Sequence, residues 1–366
     1  MVDEPSVLSE VVGSVATLTL NRPKSINALD HPMVTAMDEL LRAWAIDDAI
    51  SAVVVRGAGE RGLCAGGDIV AIHRDAASLS GNPAAGDAEA VACPSAAFWR
   101  DEYQLNADIA RYPKPYVAIM DGIVMGGGVG ISAHANTRIV TDRTRLAMPE
   151  VGIGFVPDVG GTHILARVPD NLGIYAGLTA NSLFGADAIE LGLADHFVPA
   201  DTLDDFIAAI ATTSLDDALT RYAQDPPESR IAAQRNWIRD AFAAPTVPEI
   251  IDRCRAVGTE DATKVADAIA AKSPTTLAVT LRALREELPT LEATLHREYR
   301  VSMRSLLHPD MAEGIRAQVI DKDRNPSWQP PTFDDVTAPS VDAYFAPLPD
   351  ALELTITEVA QEDSSV

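Results

Sequence analysis

Cysteine is scarce in this chain, with Cys64, Cys93 and Cys254 as the three thiols among 366 residues. Their spacing matches no metal-ligand motif, and an odd number is a poor basis for a disulfide framework, so we expect reduced thiols. The seven histidines form no HxxxH or HxH pair, which argues against a zinc site. No apolar run reaches the roughly 18 residues of a membrane-spanning helix, and the acidic N-terminus MVDEPSVLSE is unlike a signal peptide. These absences predict a cytoplasmic protein with neither a metal centre nor a membrane partner.

Positive charge is also in short supply, since 29 Lys and Arg residues face 53 Asp and Glu residues, for a formal net charge of -24. Such a charge repels nucleic acid and anionic lipid surfaces, so neither is expected as a partner. The same field opposes any anionic ligand unless a local basic cluster outweighs it. Arg22 and Lys24 form such a cluster.

Three common catalytic signatures are missing. No GxGxxG with an acidic residue about 20 positions later marks a dinucleotide site, and no Gly-Lys-Ser/Thr marks a P-loop. Ser132 lies in GISAH rather than in a GxSxG elbow. Nicotinamide chemistry, nucleotide hydrolysis and an α/β-hydrolase triad are therefore disfavoured.

Strand and helix signals alternate through the first part of the chain. Residues 8–20 predict a hairpin, a helix is predicted after Asp30, and Ala52 to Val55 is typical of a buried strand. Further predicted elements are a helix at 97–111, a strand at 116–120, a glycine-opened helix from 126 and a strand at 137–140. This alternation predicts an α/β fold with βαβ units on a mostly parallel sheet.

Helix signals without strands dominate from about 201 to 320. We therefore divide the chain into an α/β core at 1–200, a helical C-terminal region at 201–328, and a Pro-rich and acidic tail at 329–366. The composition of the tail favours partial disorder and no chemical role.

Two glycine-rich turns each follow a predicted strand and open onto a predicted helix. They are Ala65-Gly66-Gly67-Asp68 and Met125-Gly126-Gly127-Gly128. Either alone is better explained as a tight turn that needs glycine for positive φ. Together they suggest two backbone N–H groups that converge on one developing oxyanion.

Three carboxylates stand in apolar surroundings. Glu150 and Asp158 lie in LAMPEVGIGFVPDVGGT, and Glu102 falls on the apolar stripe of its predicted helix. Burial raises the pKa of a carboxyl group, which suits proton transfer. The alternatives are a solvated loop carboxylate or helix cap for Glu150 and Asp158, for Asp158 above all, and a salt bridge to arginine for Glu102.

Several stretches of the chain resemble the crotonase, or enoyl-CoA hydratase/isomerase, superfamily. The resemblance runs from about Val11 to Trp328 and includes LTLNRPKSINALD, LCAGGDI, PKPYVAIMDGIVMGGGVGIS and LAMPEVGIGFVPDVGGT. SPTTLAVTLRALRE and MAEGIRAQVIDKDRNPSW resemble the C-terminal region of the 3-hydroxyisobutyryl-CoA hydrolase branch. The resemblance implies a crotonase-like ββα superhelix core, an acyl-CoA substrate and no cofactor other than the coenzyme A of that substrate. A homo-oligomer is also a possibility that it raises.

The resemblance also implies roles for individual residues. Gly67 and Gly127 would supply the oxyanion-hole N–H groups, Glu150 would be the catalytic glutamate, and Glu102 would contact the substrate. Arg22, Lys24 and Ser25 would line the coenzyme A entrance, and Ala65 and Asp68 are also expected to bind the substrate. Asp158 stands where hydratases usually carry glycine.

The main departure is at Gly130, where hydratases carry their second catalytic glutamate in a GGGxE pattern and this chain reads GGGVG. We therefore expect hydrolysis of a 3-hydroxyacyl-CoA thioester, in particular 3-hydroxyisobutyryl-CoA of valine degradation. An enoyl-CoA isomerase or hydratase is the first alternative, and a non-catalytic acyl-CoA-binding protein is the second. Whether Glu150 activates water or attacks the thioester directly stays open, and Asp158 would either hold the substrate hydroxyl or protonate the leaving thiolate.

Overall fold

A computed structural model describes residues 4–82 and 84–357. The strands in these ranges are β1 Val7–Val12, β2 Val15–Leu20, β3 Ala52–Gly57, β4 Gly62–Cys64, β5 Tyr116–Met120, β6 Ile123–Met125, β7 Thr137–Val140, β8 Arg145–Ala147, β9 Leu183–Phe184 and β10 His196–Phe197. The α-helices are α1 His31–Ile46, α2 Ile69–Ser80, α3 Asp87–Ala92, α4 Pro94–Ala110, α5 Gly127–Ala133, α6 Gly161–Ala166, α7 Leu172–Thr179, α8 Gly185–Glu190, α9 Leu203–Thr212, α10 Leu215–Tyr222, α11 Arg235–Phe242, α12 Val247–Val257, α13 Glu260–Ala270, α14 Pro274–Arg285, α15 Leu291–Leu307, α16 Pro309–Ile315 and α17 Ala338–Phe345. None of the described helices is long and apolar enough to cross a membrane.

A six-stranded sheet has the order β1-β2-β3-β5-β7-β10, and only its β1-β2 pair is antiparallel. The parallel strands are apolar on both faces because both faces are covered. In β3, Val53 and Val55 face the main core, while Ala52 and Val54 join a second core under α9 and α10. The predicted hairpin, parallel sheet and α/β class are all confirmed.

A smaller sheet, β4-β6-β8-β9, brings the functional loops together. Strands β4, β6 and β8 are parallel neighbours, so their carboxyl ends lie at one edge. The glycine turn at Gly66 and Gly67 follows β4, and the turn at Gly126 follows β6. After β8, the chain enters a 3₁₀ turn at Glu150–Ile153. Parallel pairing is therefore what places both glycine turns beside Glu150.

The C-terminal helices pack onto the α/β core and do not form a separate layer. Helix α15 packs against α2, α4 and α6, and α16 packs against α2 and the 3₁₀ turn of Glu150. One apolar cluster runs from Ala16 to Leu354 across the predicted boundary at residue 200. The division at that residue stays a prediction.

The expectation of disorder in the tail is wrong for residues 329–357. This segment contains α17 and buries Tyr344 and Leu354. Its last described residue, Thr357, donates its N–H to Gln104 of α4 at 2.8 Å. The remaining residues of the predicted tail, 358–366, lie outside the described range. Composition was a poor guide because a few buried side chains are enough to fix a segment on an existing surface.

Candidate active site

One cavity gathers most of the residues that the sequence singled out. It has a volume of about 110 Å³, and its walls include Ala65, Gly67, Glu102, Gly127, Glu150 and Asp158. Apolar side chains complete the lining, among them Phe98, Trp99, Phe155 and Met311. Met311 belongs to α16, so the C-terminal region forms part of the wall. Since an apolar cavity of roughly 150 Å³ binds benzene, a space of this size suits a short acyl group.

Three carboxylates meet in this cavity from three separate elements. Glu102 comes from α4, Glu150 begins the 3₁₀ turn after β8, and Asp158 lies in the loop before α6. Their exposed fractions are 2%, 6% and 4% respectively. None of the three forms an ion pair with a described lysine, arginine or histidine, so the predicted alternative of a salt bridge from Glu102 to arginine is wrong.

Burial and mutual repulsion raise the pKa of each of these carboxyl groups. For Glu102 and Glu150 the pKa lies well above its usual range, mainly because of burial and then because of the Asp158 charge. Burial, followed by the Glu298 charge, raises the pKa of Asp158 to about 8. The carboxyls therefore cannot all be ionised at neutral pH, and at least one of them holds a proton.

The backbone amides of Gly67 and Gly127 lie next to each other. A β-carbon placed on Gly127 would lie 3.5 Å from Gly67 N and 2.5 Å from Glu102 Oε1. Gly127 begins α5, and neither amide has an acceptor among the described residues. Two unpaired N–H groups beside a buried carboxyl group form a site for a partial negative charge.

Gly130 has no room for a side chain. A β-carbon there would lie 2.7 Å from Val159 Cβ and 2.9 Å from Asn106 Nδ2. Both neighbours are buried. Position 130 is where hydratases carry their second glutamate. In this chain it lacks that carboxylate, and the packing around it leaves no space for one.

The loop that carries Asp158 is held in a strained conformation. Val159 has φ 53°, which is unfavourable for a β-branched residue. His134 Nε2 donates a hydrogen bond to Val159 O at 2.8 Å. On the other side, Glu298 of α15 accepts from Gly160 N at 2.7 Å and Thr162 N at 3.0 Å. These contacts from two distant segments fix the position of the Asp158 carboxyl group.

Three residues around Asp158 were not predicted from the sequence, namely Tyr103, Ser302 and Glu298. The hydroxyl of Tyr103 lies 2.8 Å from Asp158 Oδ2, and Ser302 Oγ lies 3.0 Å from the same hydroxyl. Tyr103 follows Glu102 and is fully buried, yet it is off the apolar stripe used to place that helix. Ser302 and Glu298 lie about 140 residues away in sequence, and nothing in their local pattern indicates such a contact.

Arg22, Lys24 and Ser25, expected at the coenzyme A entrance, lie outside the cavity, as does Asp68, whereas Ala65 lines it. Arg22 Nη2 contacts Asp68 Oδ2 at 3.1 Å, and Nη1 contacts Asp30 Oδ2 at 3.3 Å. Lys24 and Ser25 are exposed in a 3₁₀ turn that follows Arg22. Arg22 is therefore held by two acidic side chains, whereas Lys24 is exposed to solvent and available to an anionic ligand.

The enoyl-CoA hydratase/isomerase family model matches residues 15–345. The chain belongs to this family. Two similar proteins carry the names that the C-terminal motifs suggested. The 3-hydroxyisobutyryl-CoA hydrolase, mitochondrial, of Danio rerio is 37% identical over 354 residues, covering 93% of this chain and 90% of that protein. The 3-hydroxyisobutyryl-CoA hydrolase 1 of Arabidopsis thaliana is 37% identical over 361 residues, covering 94% and 92%. The predicted resemblance to this branch is confirmed.

Solved structures confirm the crotonase-like fold. A structure described as a carnitinyl-CoA dehydratase from Mycobacterium thermoresistibile is 51% identical, with a TM-score of 0.89 and coverage of 96% of this chain and 99% of that one. A structure described as an enoyl-CoA hydratase from Rhodobacter sphaeroides is 38% identical, with a TM-score of 0.86 and coverage of 96% and 100%. The names of these family members thus divide between thioester hydrolysis and addition or removal of water.

Proposed function

We propose that this protein hydrolyses a short 3-hydroxyacyl-CoA thioester, with 3-hydroxyisobutyryl-CoA as the substrate. The observation that carries the proposal is the pairing of Glu150 with Asp158 in one small cavity while packing closes the position at Gly130. The names of the relatives from Danio rerio and Arabidopsis thaliana support it. Glu150 and Asp158 together supply the base and the acid that acyl transfer to water requires.

The Gly67 and Gly127 amides would receive the thioester oxygen. Water attack converts the carbonyl oxygen into an oxyanion, and two N–H groups fixed by the fold stabilise that charge without reorganisation. The support for this role is their proximity and their lack of acceptors among the described residues. Removing one such donor typically lowers the rate by about 100-fold to 1000-fold.

Glu150 would be the base that takes a proton from water, or the nucleophile that attacks the carbonyl carbon directly. Either role needs the ionised form, although burial raises the pKa of Glu150. Holding Asp158 in its protonated form removes the nearest negative charge and so favours ionisation of Glu150.

Asp158 would be the acid that protonates the leaving thiolate. A pKa of about 8 keeps this carboxyl group protonated at neutral pH, which suits a proton donor better than an acceptor. In the water route, Glu150 takes one proton from water and Asp158 gives one to sulfur. The products are the hydroxy acid and coenzyme A, and proton exchange with solvent restores both carboxyls.

Glu102 would contact the acyl group from the side opposite Asp158. Its Oε1 is buried without a partner and lies beside Gly127. A raised pKa leaves Glu102 able to donate a hydrogen bond to a substrate hydroxyl. The small volume of the cavity supports a short acyl chain.

The coenzyme A part would leave the cavity beside Ala65 and pass Asp68, Arg22, Lys24 and Ser25. Exposed Lys24 would meet phosphate, while the bonds from Arg22 to Asp30 and Asp68 make it a support for the turn. A cytoplasmic location and a homo-oligomeric assembly stay predictions, and the Danio rerio relative is named as mitochondrial.

Addition of water to an enoyl-CoA, or its removal from a hydroxyacyl-CoA, is the second candidate. The names of the two solved structures favour it. The crowding at Gly130 opposes it, because the second glutamate of the hydratase pattern has no space here. Loss of the enoyl thioester absorbance without release of thiol would support this candidate over hydrolysis.

The decisive assay measures thiol release from 3-hydroxyisobutyryl-CoA with a chromogenic thiol reagent. A protein-only blank corrects for Cys93, the half-buried thiol, because Cys64 and Cys254 are buried. We expect rapid release by the wild-type protein and a loss of at least about 100-fold in Glu150→Gln with no loss of thermal stability. Comparable release by a folded Glu150→Gln variant would contradict the assignment of Glu150.

A further inference from the structure

Asp158 is the first group in a chain of three hydrogen-bond links that leads into α15. The first link joins Asp158 Oδ2 to the Tyr103 hydroxyl at 2.8 Å, and the second joins that hydroxyl to Ser302 Oγ at 3.0 Å. The third joins Ser302 Oγ to the backbone oxygen of Glu298 at 2.9 Å. Tyr103 and Ser302 are fully buried, so solvent does not compete for these links.

The number of protons in this chain depends on Asp158. Each hydroxyl carries one proton, so Tyr103 and Ser302 can donate across only two of the three links. The Glu298 carbonyl oxygen at the far end accepts and has no proton to give. All three links are filled only when Asp158 is protonated and donates to Tyr103, Tyr103 donates to Ser302, and Ser302 donates to Glu298 O. All the hydrogen bonds of the chain are therefore formed only when Asp158 is protonated.

We propose that Tyr103 and Ser302 are positioning residues that hold the Asp158 proton in place and then stabilise the carboxylate by reversing their hydroxyl groups. After Asp158 gives its proton to the leaving thiolate, Tyr103 turns to donate to the carboxylate and Ser302 turns to donate to Tyr103. The link to Glu298 O is the one released. The transfer step rests on the proposed hydrolase function, whereas the hydroxyl chain itself is independent of the substrate.

The charged surroundings make this hydroxyl chain important for Asp158. The acids that face it are Glu102 on α4, Glu150 on the 3₁₀ turn and Glu298 on α15. The Glu298 carboxylate is bound to Gly160, to Thr162 and, through Thr162 Oγ1, to Arg297. His134 follows α5 and contacts Val159 O of this loop, and burial lowers the pKa of His134 to about 4, so His134 is neutral. No described cation pairs with Asp158, and the Tyr103 hydroxyl is the side-chain donor for its anion.

The pH profile of kcat tests this role, with Tyr103→Phe and Ser302→Ala as variants. Donation to a charged acceptor is stronger than donation between neutral groups, so loss of the Tyr103 hydroxyl disfavours the carboxylate. We expect the alkaline limb of Tyr103→Phe to move up by roughly half to one pH unit, with kcat about tenfold lower and KM little changed. Ser302→Ala should move the limb in the same direction by a smaller amount.

Tyr116→Phe is the matched control. Its hydroxyl is also fully buried and donates to a backbone oxygen, that of Ile131 at 3.0 Å, away from the cavity. This variant removes the same atom at similar structural cost and should leave the pH profile unchanged. Equal profiles for Tyr103→Phe and Tyr116→Phe would overturn the proposal, and Ser302→Ala decides it if Tyr103→Phe does not fold.

A second measurement separates the hydroxyl chain from the catalytic proposal. The infrared band of the protonated Asp158 carboxyl can be assigned by its loss in Asp158→Asn and titrated in the protein without substrate. We expect a higher midpoint in Tyr103→Phe than in wild type or Tyr116→Phe, and an unchanged midpoint would overturn the positioning role. A shifted midpoint in a protein that cleaves no thioester would support the role of the hydroxyl chain and contradict the proposed hydrolase function.

Discussion

Gly130 and Val159 are packed so closely that a β-carbon on the glycine would lie 2.7 Å from the Val159 β-carbon. Val159 cannot easily move away, because its φ of 53° is fixed by contacts on both sides. The two residues together decide which acids this cavity can contain. The cavity therefore contains Asp158, the neighbour of Val159, and has no space for an acidic side chain at position 130.

Gly130→Ala should therefore destabilise the protein and lower its activity. Overpacking of this kind costs about 1 to 3 kcal/mol, and a displaced Val159 would move Asp158. Thermal unfolding and kcat measure the two effects. Gly152→Ala is the control, since a β-carbon there meets nothing within 4 Å. Equal stability of the two variants would contradict the packing argument.

Gly127→Ala should reduce kcat far more than Gly67→Ala. Both variants keep their N–H groups, but the alanine methyl at 127 would lie 2.5 Å from Glu102 Oε1 and beside Gly67 N. At 67 it would touch the Phe98 ring at 3.4 Å, an ordinary contact. Because a misplacement of about 1 Å at a reacting centre costs about 100-fold, we expect a loss on the order of 100-fold at 127 and less than about tenfold at 67. Similar losses at both positions would contradict the steric difference between them.

Asp158→Asn should stabilise the fold increasingly as the pH rises. The folded pKa of about 8 lies above the ordinary value, so the native state binds more protons than the unfolded state between about pH 4 and pH 8. Wild-type stability therefore falls with rising pH in this window, by up to about 1.4 kcal/mol per pH unit from this group. Denaturant unfolding at pH 5 and pH 8 compares the proteins. Asp216→Asn, at an exposed acid, is the control, and a constant difference between Asp158→Asn and wild type would contradict the raised pKa.

Removal of residues 349–366 should weaken the fold and the active site together. The cut eliminates the ion pair of Glu353 with Arg300, the buried Leu354 and the bonds between Thr357 and Gln104 of α4. Loss of a buried leucine side chain such as that of Leu354 costs about 2 to 5 kcal/mol. Because α4 carries Glu102 and Tyr103, we expect kcat to fall as well as Tm. A chain ending at Thr357 keeps all of these contacts and is the control; equal behaviour of the two chains would exclude a role for the segment.

The sequence was sufficient for the parts of the site that local patterns encode. Isolated carboxylates in apolar runs indicated Glu102, Glu150 and Asp158, and glycine-rich turns at strand ends indicated the two turns, within which the family resemblance singled out Gly67 and Gly127. One cavity contains all of these residues. The α/β class followed from the alternation of strand and helix, which is also a local signal.

Contacts between distant segments could not be predicted in the same way. Tyr103, Ser302 and Glu298 reach the Asp158 loop only because α15 folds back across α4 and α6. The ordered tail has the same origin, since Leu354 is buried on a surface built by other helices. A periodic pattern reports which face of a helix is apolar, and it does not report which partner covers that face.

The bond from Gly160 to Glu298 spans 138 residues of sequence, which also sets the order of events during synthesis. At about 5 to 20 residues per second, the ribosome needs roughly 7 to 28 s to make the chain between them. During that interval the nascent protein already contains Glu102, Glu150 and Asp158 but lacks the carboxylate that fixes the Asp158 loop. The newborn enzyme is therefore expected to remain inactive until α15 leaves the exit tunnel, so that catalysis begins only when translation is nearly complete.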